Sequence, residues 1–267
     1  MNARTDKKVR IILSGALGRM GIAVSTLAET NNHVEIVAGV DSETPAILCK
    51  YPIFRSISEC DTPADVLISF LRPTATEENT ATFNYCAEKK LPIVIATTGL
   101  CEKLLTSAAE AAKKTPVLTA PNLSLGINVL INILSRYSSF LHGADFDIEI
   151  TERHHSRKLD SPSGTAMKLA QTINDSLNQT MQIALNRNNV QTERSRAEIG
   201  ISAVRGGGII GEHSVIFAGA NEVIELTHKA ISRDVFAEGA LKAADFIFNK
   251  TPGLYTLQDI FNEISTG

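Results

Sequence analysis

The sequence predicts an α/β fold of two domains: a parallel sheet covered by helices, then a smaller α+β domain with an open mixed sheet. The chain has 267 residues, which at ~100–200 residues per domain suits one large domain or two modest ones. Short apolar runs alternate with helical segments as far as residue 120. Three further apolar runs follow one another between residues 199 and 227 with no helical segment between them. The first pattern is typical of parallel sheets and the second of antiparallel or mixed sheets.

In the first half, each predicted strand is a short apolar run, and helical segments separate most of these runs. The predicted strands cover residues 9–13, 35–40, 66–70, 93–96 and 117–120. The predicted helices cover residues 20–27, 74–89 and 102–113. Because parallel neighbours need crossover connections of this kind, this half predicts a parallel sheet with helices on both faces.

After Pro121 the order of elements changes. Helices are predicted at residues 128–140, 163–177, 235–248 and 257–264, and strands at 147–154, 199–204, 214–217 and 223–227. The polar segment 186–196 has no apolar period, so we expect a loop there. We expect the domains to cover residues 1–125 and 126–233, with residues 234–267 packing back on the first domain.

The composition is that of a globular protein and excludes several classes of partner. The net charge is −3, aromatic residues make up 5% of the chain, and there is no Trp. Such a chain has neither the basic surface nor the stacking platform of a nucleic-acid-binding protein. No run reaches the ~20 apolar residues of a membrane span. We therefore expect no nucleic-acid partner, no membrane partner and a cytoplasmic location.

The cysteines do not have the spacing of a metal site. Cys49, Cys60, Cys86 and Cys101 form no CxxC pair, and no histidine lies at zinc-finger spacing from them. This argues against structural zinc and against a disulfide framework, so we expect reduced thiols and no metal.

A glycine-rich turn joins the first predicted strand to the first predicted helix. It has the pattern G-x-x-G-x-x-G, and its candidate cofactor-binding residues are Gly15, Ala16, Leu17, Gly18, Arg19 and Met20. Glycines at such a turn let a pyrophosphate approach the backbone and the free N–H groups of the helix N-terminus. Glycines in a strand-to-helix turn often serve packing alone. Here the turn opens a β-α-β unit, which favours a Rossmann-type dinucleotide site.

Asp41 closes the second predicted strand, where a carboxylate accepts hydrogen bonds from the ribose hydroxyls of a dinucleotide. The alternative for Asp41 is a turn residue at a strand end. Ser42 follows at the position where an enzyme that binds a ribose 2′-phosphate would place arginine, and Arg19 would compensate only in part. The sequence therefore predicts NADH, NADPH or both as cofactor, with NADH used at least as well as NADPH.

A dense basic cluster lies between residues 149 and 166. His154 ends a strand face that it shares with Ile150 and Glu152. His155 and Lys158 follow, and the helix then starts at Ser163-Gly164-Thr165, which offers hydroxyl and N–H groups to an anion. The arrangement suits a small di-anionic substrate: Lys158 and His155 would neutralise carboxylates, and His154 or Lys158 would deliver a proton.

Three other interpretations of this cluster are a solvated basic loop before a capped helix, a nucleic-acid contact and a histidine metal site. The net charge and the low aromatic content weigh against nucleic acid. Adjacent strand residues point to opposite faces, so His154 and His155 are a poor chelating pair.

From residue 149 to residue 166 the chain matches E-x-x-E-x-H-H-x-x-K-x-D-x-P-S-G-T-A and so resembles the dihydrodipicolinate reductase (4-hydroxy-tetrahydrodipicolinate reductase) family. The glycine turn resembles that family's G-x-x-G-x-M-G cofactor loop. Two further segments, 96–99 and 120–124, resemble its loops on the nicotinamide side.

The resemblance implies a Rossmann cofactor domain, a substrate and tetramerisation domain, and a homotetramer. It implies hydride transfer from NADH or NADPH to C4 of a small cyclic dicarboxylate in diaminopimelate and lysine biosynthesis. It makes His154 and Lys158 the catalytic residues and places His155, Gly164 and Thr165 at the substrate. It adds to the cofactor site Ala96, Thr97, Thr98, Ala120, Pro121, Asn122 and Leu123.

Two rival functions stay open on the sequence. Another Rossmann dehydrogenase of amino-acid metabolism, such as an aspartate or diaminopimelate dehydrogenase, would not require the His-His-x-x-Lys cluster. A non-catalytic dinucleotide-sensing module would bind NADH without turnover.

Overall fold

The computed structural model describes residues 7–43, 49–70, 72–74, 76–97, 99–120, 122–185, 187 and 191–266. These residues form two compact units. The first contains the described residues up to Ser124 and those from Arg233 onward, and the second contains those from Leu125 to Ser232.

The N-terminal part of the first unit alternates strands with helices. Its elements are β1 (Val9–Ser14), α1 (Arg19–Glu29), β2 (Val34–Val40), β3 (Ile53–Phe54), β4 (Val66–Ser69), α2 (Glu77–Lys89), β5 (Ile93–Ile95), α3 (Glu102–Ala112) and β6 (Pro116–Thr119). Ile11, Ile12 and Leu13, successive residues of β1, have no exposed surface. Because successive strand residues point to opposite faces, β1 is covered on both sides, as parallel strands are.

The second unit is built on a five-stranded mixed sheet. Its elements are α4 (Leu125–Gly143), β7 (Asp147–His154), α5 (Gly164–Ser176), β8 (Gln182–Leu185), β9 (Glu198–Arg205), β10 (Gly211–Ala218) and β11 (Val223–Ala230). The strand order is β11-β10-β7-β9-β8. β10 pairs antiparallel with β7 and β11, whereas β9 pairs parallel with β7 and β8.

The C-terminal residues return to the first unit as α6 (Asp234–Ile247), β12 (Gly253–Tyr255) and α7 (Leu257–Thr266). β12 adds to the first sheet, whose order is β12-β6-β5-β4-β1-β2-β3 and whose pairs are all parallel. α6 packs so closely on the loop after β6 that a Cβ at Gly239 would overlap the carbonyl oxygen of Leu123.

The predicted fold class is confirmed: a Rossmann-like parallel α/β sheet and a second mixed sheet. Three strands, β3, β8 and β12, were not predicted. All three lie at a sheet edge and have two to four residues, none of them fully buried. None of the three contains a continuous apolar run long enough to predict a strand on its own. In the described ranges, no helix is long and apolar enough to cross a membrane.

Candidate functional site

The glycine turn between β1 and α1 has the conformation that its sequence predicts. Gly15 has φ +78°, a left-handed conformation that glycine adopts without strain. A Cβ at Gly21 would overlap the carbonyl oxygens of Gly15 and Ala16, so only glycine lets the helix start this close to the turn. Gly18 is the N-cap of α1 and supplies no side-chain cap. The N-terminal N–H groups of α1 are therefore oriented as a phosphate-binding helix start requires.

Asp41 follows β2 and is hydrogen-bonded to the glycine turn. Its Oδ2 accepts from the backbone N–H of Leu17 at 2.9 Å, and its Oδ1 accepts from that of Glu43 at 3.2 Å. The carboxylate therefore fixes the turn. Each oxygen keeps a lone pair for a further donor such as a ribose hydroxyl.

A cavity of about 380 Å³ lies beside this carboxylate, lined among others by Gly15, Gly18, Asp41 and Arg72. It opens at the carboxyl ends of β1, β2 and β4, where the strand order reverses direction. Open α/β sheets bind their ligands at such switch points.

The other two predicted cofactor loops follow β5 and β6, at the same edge of the sheet. Ala96 donates its backbone N–H to the carbonyl of Ser69, and Ala120 donates to that of Ile95. The Asn122 side chain accepts from the backbone N–H of Ser124 at 2.8 Å. Thr98 and Pro121 lie outside the described residues. The structure thus brings the described candidates Gly15–Met20, Asp41, Ala96, Thr97, Ala120, Asn122 and Leu123 to one edge, and their roles stay predictions.

In the second unit, His154 is the last residue of β7 and is 8% exposed. Its Nδ1 lies 2.7 Å from Oε2 of Glu152, which has no exposed surface. Burial raises the pKa of Glu152, but hydrogen bonds from Arg205, His154 and Ser163 outweigh burial and lower it. Glu152 is therefore an ionised acceptor, and the hydrogen between the two groups belongs to Nδ1 of His154.

Nε2 of His154 is the ring nitrogen left for chemistry. It lies beside Gly211 of β10, where an added Cβ would come within 3.0 Å of it. Glycine at this position leaves space next to Nε2, and a larger residue would crowd it.

Lys158 lies in the loop between β7 and α5, and its ammonium pairs with the Asp160 carboxylate at 2.8 Å. Burial raises the pKa of Asp160, but the Lys158 ammonium and the backbone N–H of Gly164 lower it on balance. Asp160 thus interacts with two groups that were predicted to hold a substrate carboxylate. At Gly164, a Cβ would meet no atom within 4 Å, so this helix start faces open space.

His155 lies at the start of the same loop, where its carbonyl accepts from the backbone N–H of Lys158. Thr165 lies in the first turn of α5, next to Gly164. The structure therefore brings all five predicted catalytic and substrate residues to the end of β7 and the start of α5, and their roles stay predictions.

Three residues of this site were given no role from the sequence: Glu152, Arg205 and His213. The His213 ring is 5.1 Å from that of His154, edge to face, and its Nε2 is 3.0 Å from Oγ of Ser163. Burial is the main cause that lowers the pKa of His213 to about 3, with a smaller contribution from the neighbouring His154 imidazole. The sequence could have indicated Glu152, because it lies two residues before His154 and therefore on the same face of the strand. Arg205 lies on β9 and His213 on β10, so neither is near His154 in the sequence. Residues 211–213 resemble a family segment, and from the sequence alone His213 is expected only to support the second sheet.

A metal site requires several ligating side chains close together. Among the described residues, no group of three or more His, Cys, Asp or Glu side chains is arranged to hold a metal ion. None of the four cysteines, all of which are described, forms a disulfide.

Comparison with known proteins matches both halves of the chain. The family model described as dihydrodipicolinate reductase, N-terminus, matches residues 9–123, and the corresponding C-terminus model matches residues 126–261. A 4-hydroxy-tetrahydrodipicolinate reductase of Clostridium novyi (strain NT) is 45% identical over 251 residues, covering 94% of this chain and 97% of the relative. One of Aquifex aeolicus (strain VF5) is 40% identical over 265 residues, covering 94% and 98%.

A similar solved structure is the dipicolinate-bound dihydrodipicolinate reductase from Paenisporosarcina sp. TG-14. It aligns with a TM-score of 0.75 at 24% sequence identity, covering 94% of this chain and 98% of that chain. This match supports the fold.

The neutral state of His213 predicts a loss of stability on acidification. The folded protein binds a proton at His213 only near pH 3, whereas the unfolded chain does so near the ordinary value of 6.5. Between these values the unfolded state holds the extra proton, so the free energy of unfolding falls as the pH falls. One such group contributes a slope of up to ~1.4 kcal/mol per pH unit. Removing it with His213→Gln should reduce the measured slope by about this amount in urea titrations between about pH 6 and 4.

The exposed His33 provides the control, because His33→Gln removes a histidine without touching this site. We expect the control to keep the wild-type slope. Equal slopes for wild type and His213→Gln would contradict the neutral state of His213.

Proposed function

The chain belongs to the dihydrodipicolinate reductase family and is an oxidoreductase, and we propose that it reduces 4-hydroxy-tetrahydrodipicolinate to tetrahydrodipicolinate in diaminopimelate and lysine biosynthesis. The observation that carries this proposal is the site at the end of β7. There a histidine held by a buried carboxylate adjoins a lysine and an open helix N-terminus. This is a proton donor next to two groups that bind carboxylates.

We assign cofactor binding to the first unit. NADH or NADPH, when bound, supplies the hydride. The N–H groups at the start of α1 would hold the pyrophosphate, and Asp41 would accept from the adenosine ribose. Ala96, Thr97 and Thr98, with the loop 120–123, would contact the nicotinamide half. The close glycine turn and the N-cap without a side chain fit a dinucleotide.

We assign the substrate to the second unit. Lys158 and His155 would neutralise its carboxylates, and Gly164 and Thr165 would hold one of them at the start of α5. Since Lys158 is paired with Asp160, a bound carboxylate would exchange with that side chain. Such a site favours a dianion over a neutral ring.

His154 would supply the proton. Its Nδ1 is engaged with Glu152, so the donor would be the imidazolium form, which carries a second proton on Nε2. Nε2 would give that proton to the ring carbon on which negative charge develops after hydride addition, and His154 would be left neutral with its proton on Nδ1. The Lys158 ammonium, bound to the neighbouring substrate carboxylate, would provide positive charge close to that developing negative charge. We also propose that the active enzyme is a cytoplasmic homotetramer, as the family resemblance implies.

A coupled assay tests the reaction. Dihydrodipicolinate synthase, pyruvate and aspartate semialdehyde would generate the substrate in place, and nicotinamide absorbance would be followed. We expect cofactor oxidation only while substrate is being made. If folded protein that binds NADH oxidises none, a sensing module or a different dehydrogenase becomes the better assignment.

The charge around Asp41 predicts cofactor preference. Among the described residues that line the cavity, Glu43 and Glu78 add negative charge to that of Asp41, and Arg72 offsets part of it. We expect kcat/KM for NADH to equal or exceed that for NADPH, because the carboxylates repel a 2′-phosphate. A kcat/KM for NADPH larger by about two orders of magnitude would contradict this charge argument.

Variants at the substrate site should separate turnover from cofactor binding. His154→Ala and Lys158→Ala should each lower kcat by about 100-fold or more, the usual effect of removing a general acid or a charge stabiliser. NADH affinity, measured by fluorescence titration, should stay within about twofold because cofactor contacts are assigned to the first unit.

Lys168 on α5 is exposed and serves as the matched control, so Lys168→Ala should keep wild-type kcat. If His154→Ala or Lys158→Ala folds normally but no longer binds NADH, the assignment of separate cofactor and substrate residues is wrong.

A further inference from the structure

Glu152 is a buried carboxylate, and each of its two oxygens accepts two hydrogen bonds. Oε1 accepts from Nη2 of Arg205 at 2.7 Å and from the backbone N–H of Ser163 at 2.9 Å. Oε2 accepts from Nη1 of Arg205 at 2.7 Å and from Nδ1 of His154 at 2.7 Å. The Arg205 contact is a bidentate pair, the strongest geometry for a guanidinium and a carboxylate.

These bonds reach three parts of the proposed substrate site: the proton donor, the start of α5 and the Lys158 loop. One fixes the His154 ring, and one fixes the start of α5 through Ser163. Arg205 continues the network to the loop, because its Nη2 also donates to the carbonyl oxygen of Asp160 at 2.6 Å. Asp160 in turn pairs with Lys158. The proton donor, the lysine and the helix start are thus connected through one ion pair.

Stability alone does not explain this ion pair. The pair removes the Glu152 carboxylate from water completely and most of the Arg205 side chain, which is 19% exposed, and apolar residues of the same volume often stabilise a fold equally well or better. What apolar residues could not do is select the His154 tautomer or hold the loop carbonyl.

We propose that Glu152 and Arg205 are positioning residues of this enzyme. Glu152 holds His154 with its proton on Nδ1 and its Nε2 directed at the reacting carbon. Arg205 holds the Lys158 loop against the start of α5. The predicted changes in kcat and KM rest on the proposed function. The predicted tautomer of His154 is independent of it.

The first test is the ring itself. In the ¹⁵N spectrum of the wild-type protein with a neutral His154 ring, its Nδ1 should give the protonated signal and its Nε2 the unprotonated one. Glu152→Gln replaces the anionic acceptor by an amide that also carries donors, so we expect a mixture of tautomers. Unchanged Nδ1 and Nε2 signals in Glu152→Gln would overturn the role of Glu152.

The second test is kinetic. Glu152→Gln should lower kcat by about 100-fold or more, because loss of a histidine-orienting carboxylate elsewhere lowers kcat by up to about 10⁴-fold. NADH affinity should be unchanged. Arg205→Lys keeps the charge but loses the bidentate geometry. It should raise KM for the dicarboxylate more than it lowers kcat, because it releases the Lys158 loop.

The matched control is Glu198→Gln, which breaks another arginine–carboxylate pair in the same sheet. Arg187 and Glu198 are 2.7 Å apart at β9, and neither contacts His154. We expect wild-type kinetics and wild-type ¹⁵N signals from it. Equal losses of kcat in Glu152→Gln and Glu198→Gln would reduce the Glu152 pair to a structural role and overturn the proposal.

The two tests keep the failures apart. If the reductase assay fails for wild type but Glu152→Gln still mixes the tautomers, the proposed function is wrong and the positioning of His154 stands. If Glu152→Gln does not fold, Arg205→Lys decides, since wild-type KM and kcat in that variant would overturn the role of the ion pair.

Discussion

The buried Glu152 carboxylate is the constraint on which the second unit depends. β7 alternates inward and outward side chains, and Ile148 and Ile150 are fully buried. The same period places Glu152 and His154 inward, so a strand that packs its isoleucines must also bury a carboxylate and an imidazole. An unpaired carboxylate there would be far too costly, which makes its partners part of the fold as much as of the site.

Sheet register supplies those partners. In the parallel pair of β7 and β9, His154 is opposite Arg205, and in the antiparallel pair of β10 and β7, Glu152 is opposite His213. A slip of one residue in either pair would send Arg205 or His213 to the other face. The geometry around His154, the proposed proton donor, therefore depends on pairings between strand residues more than fifty positions apart in the chain.

This dependence explains how far the sequence could predict the molecule. Short apolar runs, the glycine turn and the His-His-x-x-Lys segment are local patterns. They sufficed to predict the fold class, the glycine-turn residues, Asp41 and the His154–Lys158 cluster, whereas the cofactor residues at 96–98 and 120–123 came only from the family resemblance. The place of Arg205 in the site could not be predicted without the register between β7 and β9. The strands β3, β8 and β12 are too short and exposed to show a pattern in the sequence. Asp41 was predicted for a ribose, and its hydrogen bond to the Leu17 N–H became visible only in the folded turn.

Charge balance links substrate binding to the proton in the proposed reaction. Arg205 is matched by Glu152 and Lys158 by Asp160, so these four side chains have no net charge. In that reaction one substrate carboxylate would replace Asp160 at Lys158, and the other would be neutralised by His155. The proton that His154 would deliver is carried on Nε2, because Nδ1 is bound to Glu152. Delivery of that proton would leave His154 neutral with its remaining proton on Nδ1, which is the form that the Glu152 carboxylate holds.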